Sequence, residues 1–153
     1  MKFRYLDEWC LAEPTTLLQV NDLIDISFNR KWIKPVHHND LHEVVFSKNS
    51  WVYTCWDGDR LAALMVMVKV KTLTHSYMTY ENIIVHPDYR RQGIGHAFDK
   101  EIIRKSKEED CDSIEFVVPT DGVGVQIQHL KNGIPFRQKL PMGIILKHWT
   151  PKS

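Results

Sequence analysis

The sequence predicts a mixed α/β domain built around one central sheet. Three observations carry that expectation. β-rich runs and helical periodicities follow one another in the order β, α, α, β, β, β, α, β, α, β, β. Asp57-Gly58 separates two β-rich runs and is a strong short-range hairpin signal. The clearest helical stretch, 93–109, stands between two β-like runs, which makes one strand–helix–strand crossover. At 153 residues the chain fits one domain over 1–153. Its 43% hydrophobic and 25% charged content excludes a disordered or low-complexity chain.

Phe3 to Leu6 reads as a short first strand. Pro14-Thr15-Thr16 offers a helix start, followed by Leu17, Leu18, Leu23, Ile24 and Phe28 at helical spacing. Asn29 to Asn39 is aromatic and basic and reads as a loop, with Asn39 capping a second helix through Leu41, Val44, Val45 and Phe46. Ser50 to Trp56 and Leu61 to Val70 are the two arms of the hairpin. Tyr77 to Val85 is a further strand, stopped by His86-Pro87, because proline cannot donate to a ladder. In the helix from Gly93 to Glu109, Ile94, Phe98 and Ile102 recur every four residues. Ser113 to Val118 reads as a buried strand and Val123 to Lys131 as a weaker helix ended by Asn132-Gly133. Phe136 to Leu140 and Gly143 to Trp149 close the chain as two strands.

Lys and Arg total 20 against 19 Asp and Glu, so the chain lacks the basic excess with which proteins usually grip nucleic acid. Cys10, Cys55 and Cys111 are odd in number and form no C-x-x-C pair, which speaks against a disulfide framework and a cysteine zinc site. Three free thiols suit a reducing, cytoplasmic setting. The longest apolar run, Leu61 to Val68, has eight residues, far below the roughly 20 of a membrane helix. Asp7 and Glu8 interrupt the N-terminus where a signal peptide would be apolar.

The informative stretch is Glu81-Asn82-Ile83-Ile84-Val85-His86-Pro87-Asp88-Tyr89-Arg90-Arg91-Gln92-Gly93-Ile94-Gly95-His96. It reads as strand, short basic loop and glycine-flanked helix start. The first N–H groups of a helix lack intrahelical partners and carry a partial positive charge. Gly93 and Gly95 leave room for close approach, and Arg90 and Arg91 add cationic forks. Together these features describe a diphosphate site. A P-loop would need Gly-Lys-Ser/Thr, and the dinucleotide fingerprint would need a glycine where Phe98 stands.

The run Arg90-Arg91-Gln92-Gly93-Ile94-Gly95, after a strand ending Val-His-Pro-x-Tyr, resembles motif A of the GNAT superfamily of acyl-CoA N-acyltransferases. Residues 15–48 resemble that family's two early helices, 50–85 its second to fourth strands, and Cys111 to Val118 its fifth. The resemblance implies a GNAT fold: a central, mostly antiparallel sheet with splayed fourth and fifth strands, flanked by helices. It implies acetyl-CoA as co-substrate, with backbone near Ile84 and Val85 pairing with the pantetheine arm. Arg90, Arg91, Gln92, Gly93, Ile94, Gly95 and His96 would then surround the diphosphate. It implies direct transfer of acetyl to a primary amine on a small molecule or peptide. The residues themselves lead us to expect no metal and no membrane partner, and the net charge of +1 disfavours a nucleic-acid partner. The resemblance also admits a homodimer.

Two positions depart from the family pattern. Gly122 stands where members often carry a cofactor-contacting Asn, and His129 where many carry the tyrosine that protonates the leaving thiolate. A chain that keeps the fold and binds CoA or a protein partner without catalysis is therefore the alternative. Glu81 is the candidate base for the amine, against a strand carboxylate facing solvent. His129 is the candidate acid, against an ordinary helix residue. Cys111 reads as packing rather than nucleophile. His38 and His42 share helical spacing but show no third metal ligand. Trp32, His37, His38, Asp40 and Glu43 are open to an acceptor-side role or to packing, capping and solvation.

Overall fold

The computed structural model describes residues 1–27, 36–118, 136–140 and 143–149. The helix expected over 123–131, with Gly122 and His129, lies outside the described residues, as does Trp32. The elements are β1 (Lys2–Tyr5), α1 (Glu8–Ala12), α2 (Pro14–Ser27), α3 (His38–Phe46), β2 (Ser50–Asp57), β3 (Arg60–Lys71), β4 (Ser76–Val85), a 3₁₀ turn (Pro87–Tyr89), α4 (Ile94–Glu108), β5 (Ser113–Val118), β6 (Phe136–Leu140) and β7 (Gly143–Trp149). The strands order as β1-β2-β3-β4-β5-β7-β6 in a seven-stranded sheet. By contacts the chain groups into two units, Met1–Met67 with Glu81–Ile94 and Val68–Tyr80 with Gly95–Ser153, so β3 and β4 each run through both.

In the first unit β1 pairs antiparallel with β2, registering Lys2 with Trp56 and Tyr5 with Tyr53. The two-residue turn Gly58–Asp59 then joins β2 to β3, with Gly58 at φ 57°. That left-handed angle is what the Asp-Gly signal supplies. Leu6, Cys10, Val20, Leu23, Ile24, Leu41, Val52, Trp56, Leu61, Leu64 and Ile84 form one buried cluster that seats the first three helices on the sheet. The sequence missed α1, whose five residues are too few to show a periodicity; Asp7 caps it, accepting from the Cys10 N–H at 3.0 Å. The N-cap of α3 is His37, two residues before the expected Asn39, because Asp40 Oδ2 accepts from the His37 N–H at 2.9 Å.

In the second unit Ile102 and Phe98 of α4 are fully buried, the stripe expected from their spacing. The left-handed Asp110, at φ 56°, ends that helix, and Asp112 accepts from the Ser76 N–H to tie β5 to the root of β4. β4 and β5 are parallel and register Tyr77 with Ser113 and Met78 with Ile114. Both pairs lie at the starts of their strands, as a splayed pair requires. β7 pairs antiparallel with β5 from Ser113↔Trp149 to Val118↔Ile144, and β6 pairs antiparallel with β7. Only the β4–β5 pair among the described registers is parallel, so the mixed, mostly antiparallel sheet matches the sequence expectation.

Candidate functional site

The site grows from the end of β4. His86-Pro87 stops the strand, and Pro87 opens the 3₁₀ turn, where its missing N–H costs nothing. The His86 N–H donates to the Ala62 carbonyl at 2.9 Å, which roots the loop on β3. His86 Nδ1 accepts from the Asp88 N–H at 3.1 Å and caps the turn.

Two residues of the β2–β3 hairpin hold this turn from outside. The buried Tyr89 donates its hydroxyl hydrogen to Asp57 Oδ2 at 2.7 Å. That bond raises the Tyr89 phenol above its ordinary pKa. Arg60 lies over the Tyr89 ring, 5.2 Å from its centroid, and its Nη2 donates to Asp88 Oδ2 at 3.0 Å. The same Nη2 stands 3.2 Å from His86 Nε2. The hydrogen bond to Asp88 is the main reason that the Arg60 guanidinium is held charged even more firmly than usual.

Beyond the turn, Arg90 Nε donates to the Val85 carbonyl at 3.3 Å and Gln92 Nε2 to the Asp88 carbonyl at 3.4 Å. Arg91 and Gly93 adopt φ of 62° and 82°, and these two left-handed residues turn the chain into α4. A Cβ on Gly93 would meet no atom within 4 Å, so its need for glycine is conformational and its backbone borders open space. Ile94 is buried and anchors the first turn, whereas His96 and both arginines are exposed. No acid occupies the first turn of α4, so no carboxylate there offsets the partial positive charge of the helix N-terminus. Continuity of chain thus brings Val85, Arg90, Arg91, Gln92, Gly93, Ile94, Gly95 and His96 into one stretch. Backbone donors and two cations in that stretch fit a diphosphate.

Glu81 is exposed on β4, on the same strand face as Val85 and about 13 Å before it at the usual rise per residue. Ile84 points the other way, into the core. Next to Glu81, Tyr80 has its phenol pushed well above the ordinary range by burial and by the charge of Asp99, so it stays protonated. Burial likewise raises the Cys111 thiol, which disfavours the thiolate a nucleophile needs. His38 and His42 do share a face of α3, with ring centroids 6.3 Å apart. Among the described residues no group of three or more metal-ligating side chains occurs, and no helix there is long and apolar enough to cross a membrane. Asp40 serves its helix as a cap.

Sequence reading did not find Arg60, the Asp57–Tyr89 bond or the left-handed Arg91. The first two depend on which strand neighbours β4, and the hairpin signal at Asp57-Gly58 says nothing of that neighbour.

The model of a family described as the acetyltransferase (GNAT) family matches residues 17–126. No curated protein matches the chain. Among solved structures, smu.2055 from Streptococcus mutans is similar with a TM-score of 0.75 at 17% identity, over 99% of this chain and 100% of that one. The ribosomal-protein-S18-alanine N-acetyltransferase from Escherichia coli is similar with a TM-score of 0.70 at 15% identity, over 99% and 95%. So is yncA from Salmonella typhimurium, solved with its cofactor acetyl-CoA, with a TM-score of 0.76 at 10% identity, over 99% and 95%. At these identities the likeness carries the fold.

Proposed function

The chain belongs to the GNAT acetyltransferase family, and from that premise we propose that it moves an acetyl group from acetyl-CoA directly to a primary amine. The observation that carries this reading is the stretch from Val85 to His96: a strand end, a braced basic turn, two left-handed residues and an acid-free helix start. In this reading the whole of 1–153 acts as one N-acetyltransferase domain. A similar fold in yncA was solved with acetyl-CoA, and a similar fold in the Escherichia coli protein is that of an N-acetyltransferase.

The backbone near Ile84 and Val85 runs beside the pantetheine arm and aligns the thioester. The diphosphate rests on N–H groups from Gln92 to His96, with Arg90 and Arg91 as counter-charges. Glu81 accepts a proton from the acceptor ammonium, directly or through a water. The neutral nitrogen attacks the thioester carbonyl carbon, a C–N bond forms, the C–S bond breaks, and the nitrogen releases its second proton to solvent as it becomes the amide. The sulfur leaves with its electron pair and takes up a proton, with His129 as donor; the products are an N-acetylated amine and CoA. Because a CoA thiol is not far from cysteine in acidity, departure at neutral pH needs only partial help.

Calorimetric titration with acetyl-CoA, followed by a CoA-release assay over an amine panel with mass detection, tests this. Micromolar binding, near −8 kcal/mol, and an acetylated product are expected. Binding without any product across the panel would favour a non-catalytic CoA-binding protein, and absence of binding would reject both readings.

A further inference from the structure

We propose that Arg60 is a positioning residue for the cofactor's diphosphate, acting by masking the carboxylate of Asp88. This inference rests on the acetyl-CoA reading above and names a residue outside the motif that supports it. Between the end of β4 and the start of α4 the loop carries a single acid, Asp88, two residues from Arg90. Its backbone is committed to the loop, since its N–H caps onto His86 and its carbonyl accepts from Gln92. Its carboxylate is 62% exposed and, left bare, would oppose the approach of a diphosphate to the same turn.

The groups facing that carboxylate decide what masks it. His86 Nδ1 is 3.7 Å from Oδ2 but already accepts from the Asp88 N–H, and imidazole is charged only when protonated. Arg60 Nη2 is 3.0 Å away and carries its charge at every physiological pH. The Tyr89 ring under the guanidinium keeps this half-exposed side chain in place, and the Tyr89–Asp57 bond fixes that ring in turn. Arg60 therefore reaches from the hairpin to complete the charge balance of the loop.

The experiment measures acetyl-CoA Kd by calorimetry on the full chain for the parent, Arg60→Met, Asp88→Asn and the double variant, at low and at about 0.5 M salt. Arg60→Met should bind about fivefold more weakly at low salt, the upper range for an exposed pair. The deficit should shrink at high salt, where screening lengths fall to a few ångströms. Asp88→Asn should bind at least as tightly as the parent, and adding it to Arg60→Met should restore the affinity. A double variant as weak as Arg60→Met would make Arg60 a structural brace and overturn the proposal. So would a parent-like Kd for Arg60→Met at low salt. Should Arg60→Met melt below the assay temperature, Asp88→Asn alone decides, because weaker binding by it contradicts a masked liability. A parent protein that does not bind acetyl-CoA would instead sink the cofactor reading and this inference with it, whereas a binding parent with no rescue sinks this inference alone.

Discussion

The Tyr89 hydroxyl donates to Asp57 Oδ2 across 2.7 Å and joins the turn after β4 to the β2–β3 hairpin, 32 residues away in the chain. Tyr89→Phe keeps the ring beneath Arg60 and deletes the hydroxyl, and with it this bond and a weaker contact with Arg60. The phenol's pKa is raised in the fold, first by the bond itself. Its contribution is therefore whole below the unfolded value near pH 10 and is lost as pH rises through the folded value. The variant should melt below the parent at pH 7, and the two midpoints should converge as the pH climbs past about 10. An equal gap at both ends of that range would show that the hydroxyl does not act through Asp57.

Gly93 sits at φ 82° with open space where a Cβ would point. Gly93→Ala should therefore meet no clash and suffer only the left-handed penalty of about 1 kcal/mol. For a chain of this size that corresponds to a fall of roughly 2–4 °C in Tm. Gly95→Val, placed in the first turn of α4, should instead leave Tm largely unchanged and weaken acetyl-CoA binding strongly. A normal acetyl-CoA titration for a folded Gly95→Val protein would mean the diphosphate lies elsewhere.

Much of this architecture was legible because local signals and tertiary demands coincide. Ile94, Phe98 and Ile102 are spaced for one helical face and are all buried. Asp57-Gly58 calls for a left-handed residue and Gly58 has one. The bounds expected for the strands 113–118, 136–140 and 143–149 coincide with β5, β6 and β7. What escaped depends on neighbours in space. The pairing of Arg60 with Asp88 needs the end of β4 to lie beside the start of β3, an adjacency that no residue of either strand encodes by itself. The left-handed Arg91 escaped because arginine carries no turn preference, so the angle is imposed by the turn before it and the helix after it.

Tyr80 gives a spectroscopic handle on the interior of β4. Burial first, and the Asp99 charge second, raise its phenol far above the ordinary value. Unfolding releases it to a pKa near 10, so the native state loses stability as pH rises above that value. Absorbance titration near 295 nm should show Tyr80 ionising only as the fold opens. Tyr80→Phe should remove that late step and flatten the alkaline loss of stability. A late step that survives in Tyr80→Phe would assign it to another of the five tyrosines.

Glu81 carries the chemical part of the proposal. It is exposed on β4, and it shares a strand face with Val85. Glu81→Gln preserves size and hydrogen bonding and removes the basic oxygen. If Glu81 takes the acceptor's proton, kcat should fall by about 10²-fold while acetyl-CoA affinity stays near that of the parent. The deficit should also depend on the acceptor. A lysine-type amine, with a pKa near 10.4, is almost wholly ammonium at pH 7.5 and needs the base on every turnover. An α-amine, near 7.7–8.0, is already neutral in an appreciable fraction of molecules. The Glu81→Gln loss should therefore be greater with the first class than with the second, and raising the assay pH toward 9 should narrow it for α-amines first. A loss of the same size for both classes at every pH would point to acceptor binding rather than proton removal. An unchanged kcat would leave Glu81 as a solvated carboxylate on the strand.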